Sequence, residues 1–561
     1  MAHSLPERNL YIGDTDDEIE IDVEEEGGGD VYDSDLSETI SNDSHDSVHD
    51  GSRPGSYTTS WPQSYRQSID MYTSVTPKSI GFLGTSTLSR LSGSFLSSSF
   101  HDKRVPDHVR PFLQKTHSQE DQIQKHEIVA EEKRKSSHGG LFPPRGSSSE
   151  KTTTTVTHDY HGGSTTASGD CSYVQAALNG INVLTGVGIL STPYAIREGG
   201  WGGLVIMFMF AMIAWYTGIL LRKCLDSSPG LQTYPDVGQA AFGTIGRFLV
   251  SVILYLELYA CCVEYIILES DNLSSLFPGA ELNILGLYIN SKVVFAILTT
   301  LVVLPTTWLR DLSLLSYFSG CGVVASILVV LCLLWVGVVD KVGFHSAGSQ
   351  LNLPTLPIAV GLYGYCYSGH AVFPNIYTSL KKPGQFPSVL FTCFAICTVL
   401  FAGAGVLGYS MFGESTESQF TLNLPHELLA SKIAIWTTVV NPITKFALTL
   451  TPLALSLEEL IPSSYAKSHI YAIIIRSILT VSALVVALSV PFFGLVMSFI
   501  GSFFTMIVSF ILPCVCFLRI VKGGASRYEV LLCSCISVLG AICCGFGTFT
   551  SISTIIKSLI S

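Results

Sequence analysis

From about residue 173 to its end the chain is a succession of apolar runs, and that pattern leaves few folds open. A membrane-spanning helix needs about 20 largely apolar residues. Candidates fall at 173–196, 201–222, 245–269, 291–309, 312–339, 354–380, 386–412, 432–457, 469–489, 491–520 and 528–556. In hydrocarbon the backbone must satisfy its own hydrogen bonds, so runs of this kind wind into helices. The expected fold class is an all-α polytopic membrane protein of eleven transmembrane helices over residues 169–561, embedded in a lipid bilayer.

Charge separates this region from what precedes it. Residues 1–50 carry 17 acidic residues and a single base, Arg8, whereas residues 169–561 hold 17 of each sign. Residues 1–168 are rich in Ser, Thr, Gly and Asp, a composition that buries too little surface to offset chain entropy. They are expected to form a disordered acidic, Ser-rich tail. Ser41, Ser44 and Ser47, set among aspartates, suit contact with a kinase or regulator, and equally a plain solvated tail. The short loops fix an orientation: with the tail inside, eleven Lys and Arg residues face the cytoplasm against five opposite. That places the N-terminus in the cytoplasm and, with an odd number of spans, Ser561 across the membrane.

Two spans are interrupted. The first reads Thr185-Gly186-Val187-Gly188-Ile189-Leu190-Ser191-Thr192-Pro193, and the sixth reads Tyr365-Cys366-Tyr367-Ser368-Gly369-His370. Unwound backbone survives at membrane depth only where it lines a cavity or packs on protein. Gly188 and Gly369 lie 181 residues apart, as do Glu264 and Lys445, so the first ten spans divide into two halves of five. Five spans followed by five enter from opposite sides, which makes a 5+5 inverted repeat with one extra helix. Paired breaks in such a repeat mark a transporter's central site.

The candidate substrate-binding residues are Asn182, Thr185, Gly186, Val187 and Gly188 at the first break, and Tyr365, Tyr367, Ser368 and Gly369 at the second. Main-chain N–H groups freed at a helix start suit a carboxylate, and freed carbonyls suit an ammonium. Intramembrane ionisable residues are costly and therefore candidates for function. Glu257 and Glu264 share a helical face about 10.5 Å apart along the axis. With His370 and Lys445 they are the proton-coupling candidates, although either Glu is equally suited to a structural ion pair with Lys445. No catalytic triad, nucleotide loop, nucleic-acid patch or metal constellation is present in the sequence, so neither an enzyme nor a cofactor nor a metal is expected. The C-x-C pairs Cys514/Cys516 and Cys533/Cys535 lack a His cluster and read as small core residues.

The stretch Asn179 to Ala195 (NGINVLTGVGILSTPYA) resembles the first-helix signature of the amino acid/auxin permease family. Tyr365 to Pro374 (YCYSGHAVFP) resembles its sixth helix, and Asn441-Pro442-Ile443-Thr444-Lys445 its eighth. The branch it is most similar to is that of the vacuolar, vesicular inhibitory amino acid transporter-like carriers of plants and yeast. The resemblance implies a leucine-transporter-type fold, amino acid substrates, proton coupling and, for that branch, antiport into the vacuole by alternating access. It also implies carboxylate binding by Thr185 to Gly188, with Ser368 and Gly369 near the amine. Alternatives from the residues themselves are an amino-acid-sensing receptor, a carrier of another organic acid such as an auxin, and residence in another endomembrane or the plasma membrane.

Overall fold

A computed structural model describes residues 61–73 and 171–561, apart from 285–286, 310–311, 313–314, 316–319, 345–347 and 462–468. Its elements follow the apolar runs. A short helix α1 (Tyr65–Thr73) precedes α2 (Tyr173–Leu184), a 3-10 turn (Val187–Ser191) and α3 (Thr192–Gly199). Then come α4 (Gly203–Leu225), the long α5 (Tyr234–Leu276), α6 (Ser291–Thr307) and α7 (Gly322–Val338). The second break separates α8 (Leu356–Cys366) from α9 (Phe373–Ser379), followed by α10 (Phe386–Phe412), α11 (Leu429–Glu458) and α12 (His469–Ser489). The last elements are α13 (Phe493–Ile500), a π-helical stretch (Gly501–Ile511), α14 (Leu512–Val521) and α15 (Arg527–Ile560).

Among the described residues, seven helices are long and apolar enough to cross a bilayer, or eight if the bent pair around Thr185 is one span. Three more, α6, α7 and α8, are apolar but shorter. One segment departs from the all-α expectation. Leu282–Ile284 and Leu287–Ile289 pair antiparallel after α5, with Asn283 opposite Tyr288. Three residues a side suffice to form a hairpin in a loop but not a sheet.

Close helix contacts hold the bundle where the site is built. The π-helical stretch packs on α8 through two glycines: a Cβ on Gly501 would lie 1.9 Å from the Gly361 carbonyl oxygen. Small residues of this kind let helix backbones approach in lipid, where there is no hydrophobic drive between helices. At its start α5 is fixed by a capping box, Thr233 with Asp236, and Asp236 also pairs with the buried Arg247.

The expectation of a disordered segment over residues 1–168 fails at α1. Tyr65, Ser68 and Ile69 are buried within the bundle. The cause is a local stripe: Trp61, Tyr65, Ile69 and Tyr72 recur at helical spacing on one face, and each large apolar side chain withdrawn from water contributes about 1.5–3 kcal/mol. Composition averaged over the tail conceals it. The acidic stretch 1–50, with Ser41, Ser44 and Ser47, lies outside the described residues.

Candidate functional site

The first break starts where helix-favouring residues give way to Thr185 and Gly186. Thr185 turns its hydroxyl back to donate to the Ile181 carbonyl at 2.8 Å, and Gly186 leaves the helical path at φ −63°, ψ −145°. The chain resumes as the 3-10 turn, and the span bends by 48° across the break. Pro193 then sits in the first turn of α3, where its missing N–H costs nothing.

A helix that stops at mid-depth leaves carbonyl oxygens without partners, and other spans supply them. Lys445 of α11 donates from Nζ to the Asn182 carbonyl at 3.2 Å. Ser326 of α7 donates to the Thr185 carbonyl at 2.8 Å. A cation is favourable at the negative end of a helix dipole, so Lys445 both satisfies the broken end and offsets its charge. The space for this is made by Gly322: a Cβ there would meet Asn182 Oδ1 at 2.5 Å, Asn441 Oδ1 at 3.4 Å and Lys445 Nζ at 3.4 Å.

The second break runs from Tyr367 to Val372, the residues that cap α8 and α9. Ser368 donates its hydroxyl to Glu257 Oε1 at 2.6 Å, and Thr505 of the π-helical stretch donates to the same oxygen at 3.2 Å. Glu257 is buried and has no cationic partner among the described ion pairs. Neither Glu257 nor Glu264 pairs with Lys445, which corrects the ion-pair alternative. The lysine is committed to α2, and hydroxyls serve the carboxylate.

These groups surround one cavity of about 60 Å³, lined by Gly186 and Val187 from the first break and Tyr365, Ser368 and Gly369 from the second, with Glu257 and Lys445 at its walls. Lined by both polar and apolar groups and wide enough for a few waters, it brings a carboxyl, an amine and main-chain groups within reach of one small solute. Cys261, Tyr265 and Tyr72 also line it, beside apolar residues such as Leu184 and Leu258. Cys261 and Tyr265 were within reach of sequence reasoning, since they share the helix of Glu257 at one-turn spacing. Tyr72 gave only the tail's apolar stripe.

Other predicted residues are placed elsewhere. Asn182 enters through its carbonyl, and Thr185 is turned onto its own helix. Gly188 sits where the two broken spans touch: its carbonyl accepts from the Cys366 thiol at 3.7 Å. Tyr367 points away from the cavity and shares a 2.9 Å hydrogen bond with Thr398 of α10. Glu264 is fully buried beside Tyr365, behind the wall that Cys261 and Tyr265 form, and does not itself line the cavity. His370 faces α4, with Nε2 3.2 Å from the Ala214 carbonyl and 2.9 Å from the Thr217 hydroxyl, and its ring packs 4.7 Å from Phe373. That geometry makes the Nε2–H a donor to Ala214 and gives the ring a structural place.

Helices broken at two places around a buried cavity, in a bundle whose described residues include seven or eight helices long and apolar enough to cross a bilayer, define a polytopic membrane protein with an interior site. The chain belongs to the family described as transmembrane amino acid transporter protein, whose model matches residues 169–557. That is a family of carriers rather than enzymes. The chain is 55% identical over 563 residues to amino acid transporter AVT1C of Arabidopsis thaliana, covering 100% of each. It is 55% identical over 562 residues to amino acid transporter AVT1B of the same plant, again over 100% of each. The vesicular GABA transporter of Caenorhabditis elegans is 26% identical over 419 residues, 72% of this chain and 83% of that one. A Na+-coupled sialic acid symporter aligns over 67% of this chain and 89% of its own at 12% identity and a TM-score of 0.42, a likeness too loose to carry an argument.

Proposed function

We propose that this chain is a proton-coupled secondary active transporter of neutral amino acids, working by alternating access as an antiporter into the vacuole. The single observation that carries the reading is the convergence of both breaks on one cavity holding a carboxylate, Glu257, and an ammonium, Lys445. A zwitterion has one end for each. Its carboxylate is taken by main-chain N–H groups around Gly186 and Val187 with Lys445 behind them, and its amine by the Ser368 hydroxyl and Glu257.

The same pairing supplies coupling. Ser368 and Thr505 hold Glu257 as an acceptor, and a substrate amine competes with a proton for that acceptor. Proton and amino acid therefore occupy the site alternately, the requirement for exchange in opposite directions. Glu264, buried beside Tyr365 on the same helix, is the next carrier along that route. Lys445 places a fixed positive charge against the end of α2, which argues against a sodium ion there. In this reading the eleven apolar runs are eleven spans, ten of them a 5+5 inverted repeat, with the N-terminus cytoplasmic and the C-terminus lumenal.

Uptake of radiolabelled neutral amino acids into proteoliposomes carrying an imposed pH gradient tests it. Accumulation should require an acidic interior and collapse when an ionophore dissipates the gradient. Uptake indifferent to the gradient removes proton coupling, and no uptake of any amino acid removes the reading.

A further inference from the structure

The tail helix is built into the site rather than attached beside it. At its start, Arg247 donates from Nε to the Trp61 carbonyl and from a terminal nitrogen to the Pro62 carbonyl, each at 3.0 Å, while Arg247 is itself held by Asp236. The Trp61 indole donates to the Ser456 carbonyl at 2.8 Å and packs edge-on against Tyr255 at 5.8 Å. Glu459, at the end of α11, accepts from the backbone N–H groups of Gln63 and Ser64, donors that a helix start leaves unpaired. Apart from the Arg247–Asp236 pair within α5, each of these contacts joins tail to membrane domain.

Further along, the partners belong to the broken span. The Tyr65 hydroxyl donates to the Ala371 carbonyl, inside the second break, at 3.1 Å. Asn375 of α9 donates to the Arg66 carbonyl at 3.0 Å and to Asp70 Oδ1 at 3.1 Å. Ile69 is fully buried. Tyr72 forms part of the wall of the cavity that holds Gly186, Glu257, Ser368 and Lys445.

We propose that Trp61–Thr73 is a plug that closes the binding cavity from the side of the tail and locks α9 in one access state, with Tyr72 completing the pocket. The proposal rests on the transport reading above. Two constraints follow from the contacts. The plug covers the path by which solute reaches Glu257 and Ser368 from the tail's side. It also ties α9 and the second break to α11 and α5 through residues outside the membrane repeat. An access change that moves α9 relative to α11 breaks the Tyr65 and Asn375 bonds, so the helix leaves before the carrier turns over. Full transport then requires release of the tail, and whatever binds or modifies residues 61–73 sets the rate.

Cys261 reports the plug without reference to flux, because it lines the same cavity. Full-length protein in detergent is treated with N-ethylmaleimide, and modification of Cys261 is followed by mass spectrometry in the wild type, in Ile69→Asp and after deletion of residues 1–73. A synthetic peptide of residues 59–75 is then added back to the deletion variant. The plug predicts Cys261 modification at least fivefold faster in both variants, protection restored by the peptide, and amino acid uptake into proteoliposomes raised at least threefold. Unchanged Cys261 modification in both variants overturns the plug, whatever the uptake. Faster modification with unchanged uptake in an active preparation overturns its control of turnover. Faster modification in a protein that moves no amino acid in any form leaves the plug standing and overturns the transport reading instead.

Discussion

Lys445 on α11 reaches the main-chain carbonyl of Asn182, 263 residues away in sequence, at 3.2 Å. This contact ties the eighth apolar run to the broken end of the first and sets a positive charge beside the cavity. It turns two local features, a helix that stops inside the bundle and a lysine buried within it, into one arrangement.

Replacing Lys445 by methionine keeps much of the side-chain volume and removes the donor. The Asn182 carbonyl then loses its buried hydrogen bond from a charged donor, at a cost of about 1–3 kcal/mol. The Lys445→Met variant is expected to unfold at a lower temperature and to lose at least about tenfold in uptake, since tenfold corresponds to only about 1.4 kcal/mol of lost stabilisation. Thermal unfolding in detergent and proteoliposome uptake measure the two. Uptake and stability equal to wild type would detach Lys445 from the site.

Glu257→Gln retains an acceptor oxygen for Ser368 and Thr505 but carries no exchangeable carboxyl proton. Gradient-driven uptake should disappear while exchange of internal for external amino acid persists at a measurable rate. Parallel assays of counterflow and of pH-driven accumulation check it. A variant that still accumulates substrate against a gradient places proton coupling on another residue.

His370→Gln tests a residue that its sequence marks and its surroundings do not. Glutamine can donate to the Ala214 carbonyl as the imidazole does, and the ring faces α4 rather than the cavity. The variant is expected to keep pH-gradient dependence with uptake within about threefold of wild type, the change appearing mainly in thermal stability, at a cost of about 1–2 kcal/mol for an imperfect buried hydrogen bond. Loss of gradient dependence at intact expression would return His370 to the proton route.

Gly188 and Gly501 divide a packing requirement into two grades. A Cβ on Gly188 would lie 3.5 Å from Cys366 Cα, an ordinary contact, whereas one on Gly501 would strike the Gly361 carbonyl at 1.9 Å. Gly188→Ala should therefore transport, Gly188→Leu should not, and Gly501→Ala should lower stability by about 1–3 kcal/mol through overpacking. Uptake for the first pair and melting temperature for the third read the difference.

The breaks themselves were legible because glycine and proline punctuate a helix locally: Gly186, Gly188 and Pro193 announce the first, Ser368-Gly369 and Pro374 the second. What the side chains then do was legible only in part. Tyr365 and Tyr367 are both tyrosines beside one break, yet a two-residue step on a helix turns them to opposite sides, one into the cavity and one onto Thr398. The partner of Lys445 depends on how two distant spans dock, which no local pattern encodes. The tail failed differently. Trp61, Tyr65, Ile69 and Tyr72 form a readable apolar stripe, but acidic and serine-rich surroundings dominate any average taken over the segment.

The central claim is that solute is held where the two broken spans face each other. A structure of the full-length chain determined with a transported neutral amino acid bound tests it most directly. The account predicts ligand density with its carboxylate at the Gly186–Val187 backbone and its amine within hydrogen-bonding distance of Ser368 and Glu257. Ligand bound elsewhere, for example in the crevice of Cys321, Trp436 and Thr444 between α7 and α11, with the central cavity unchanged, would contradict it.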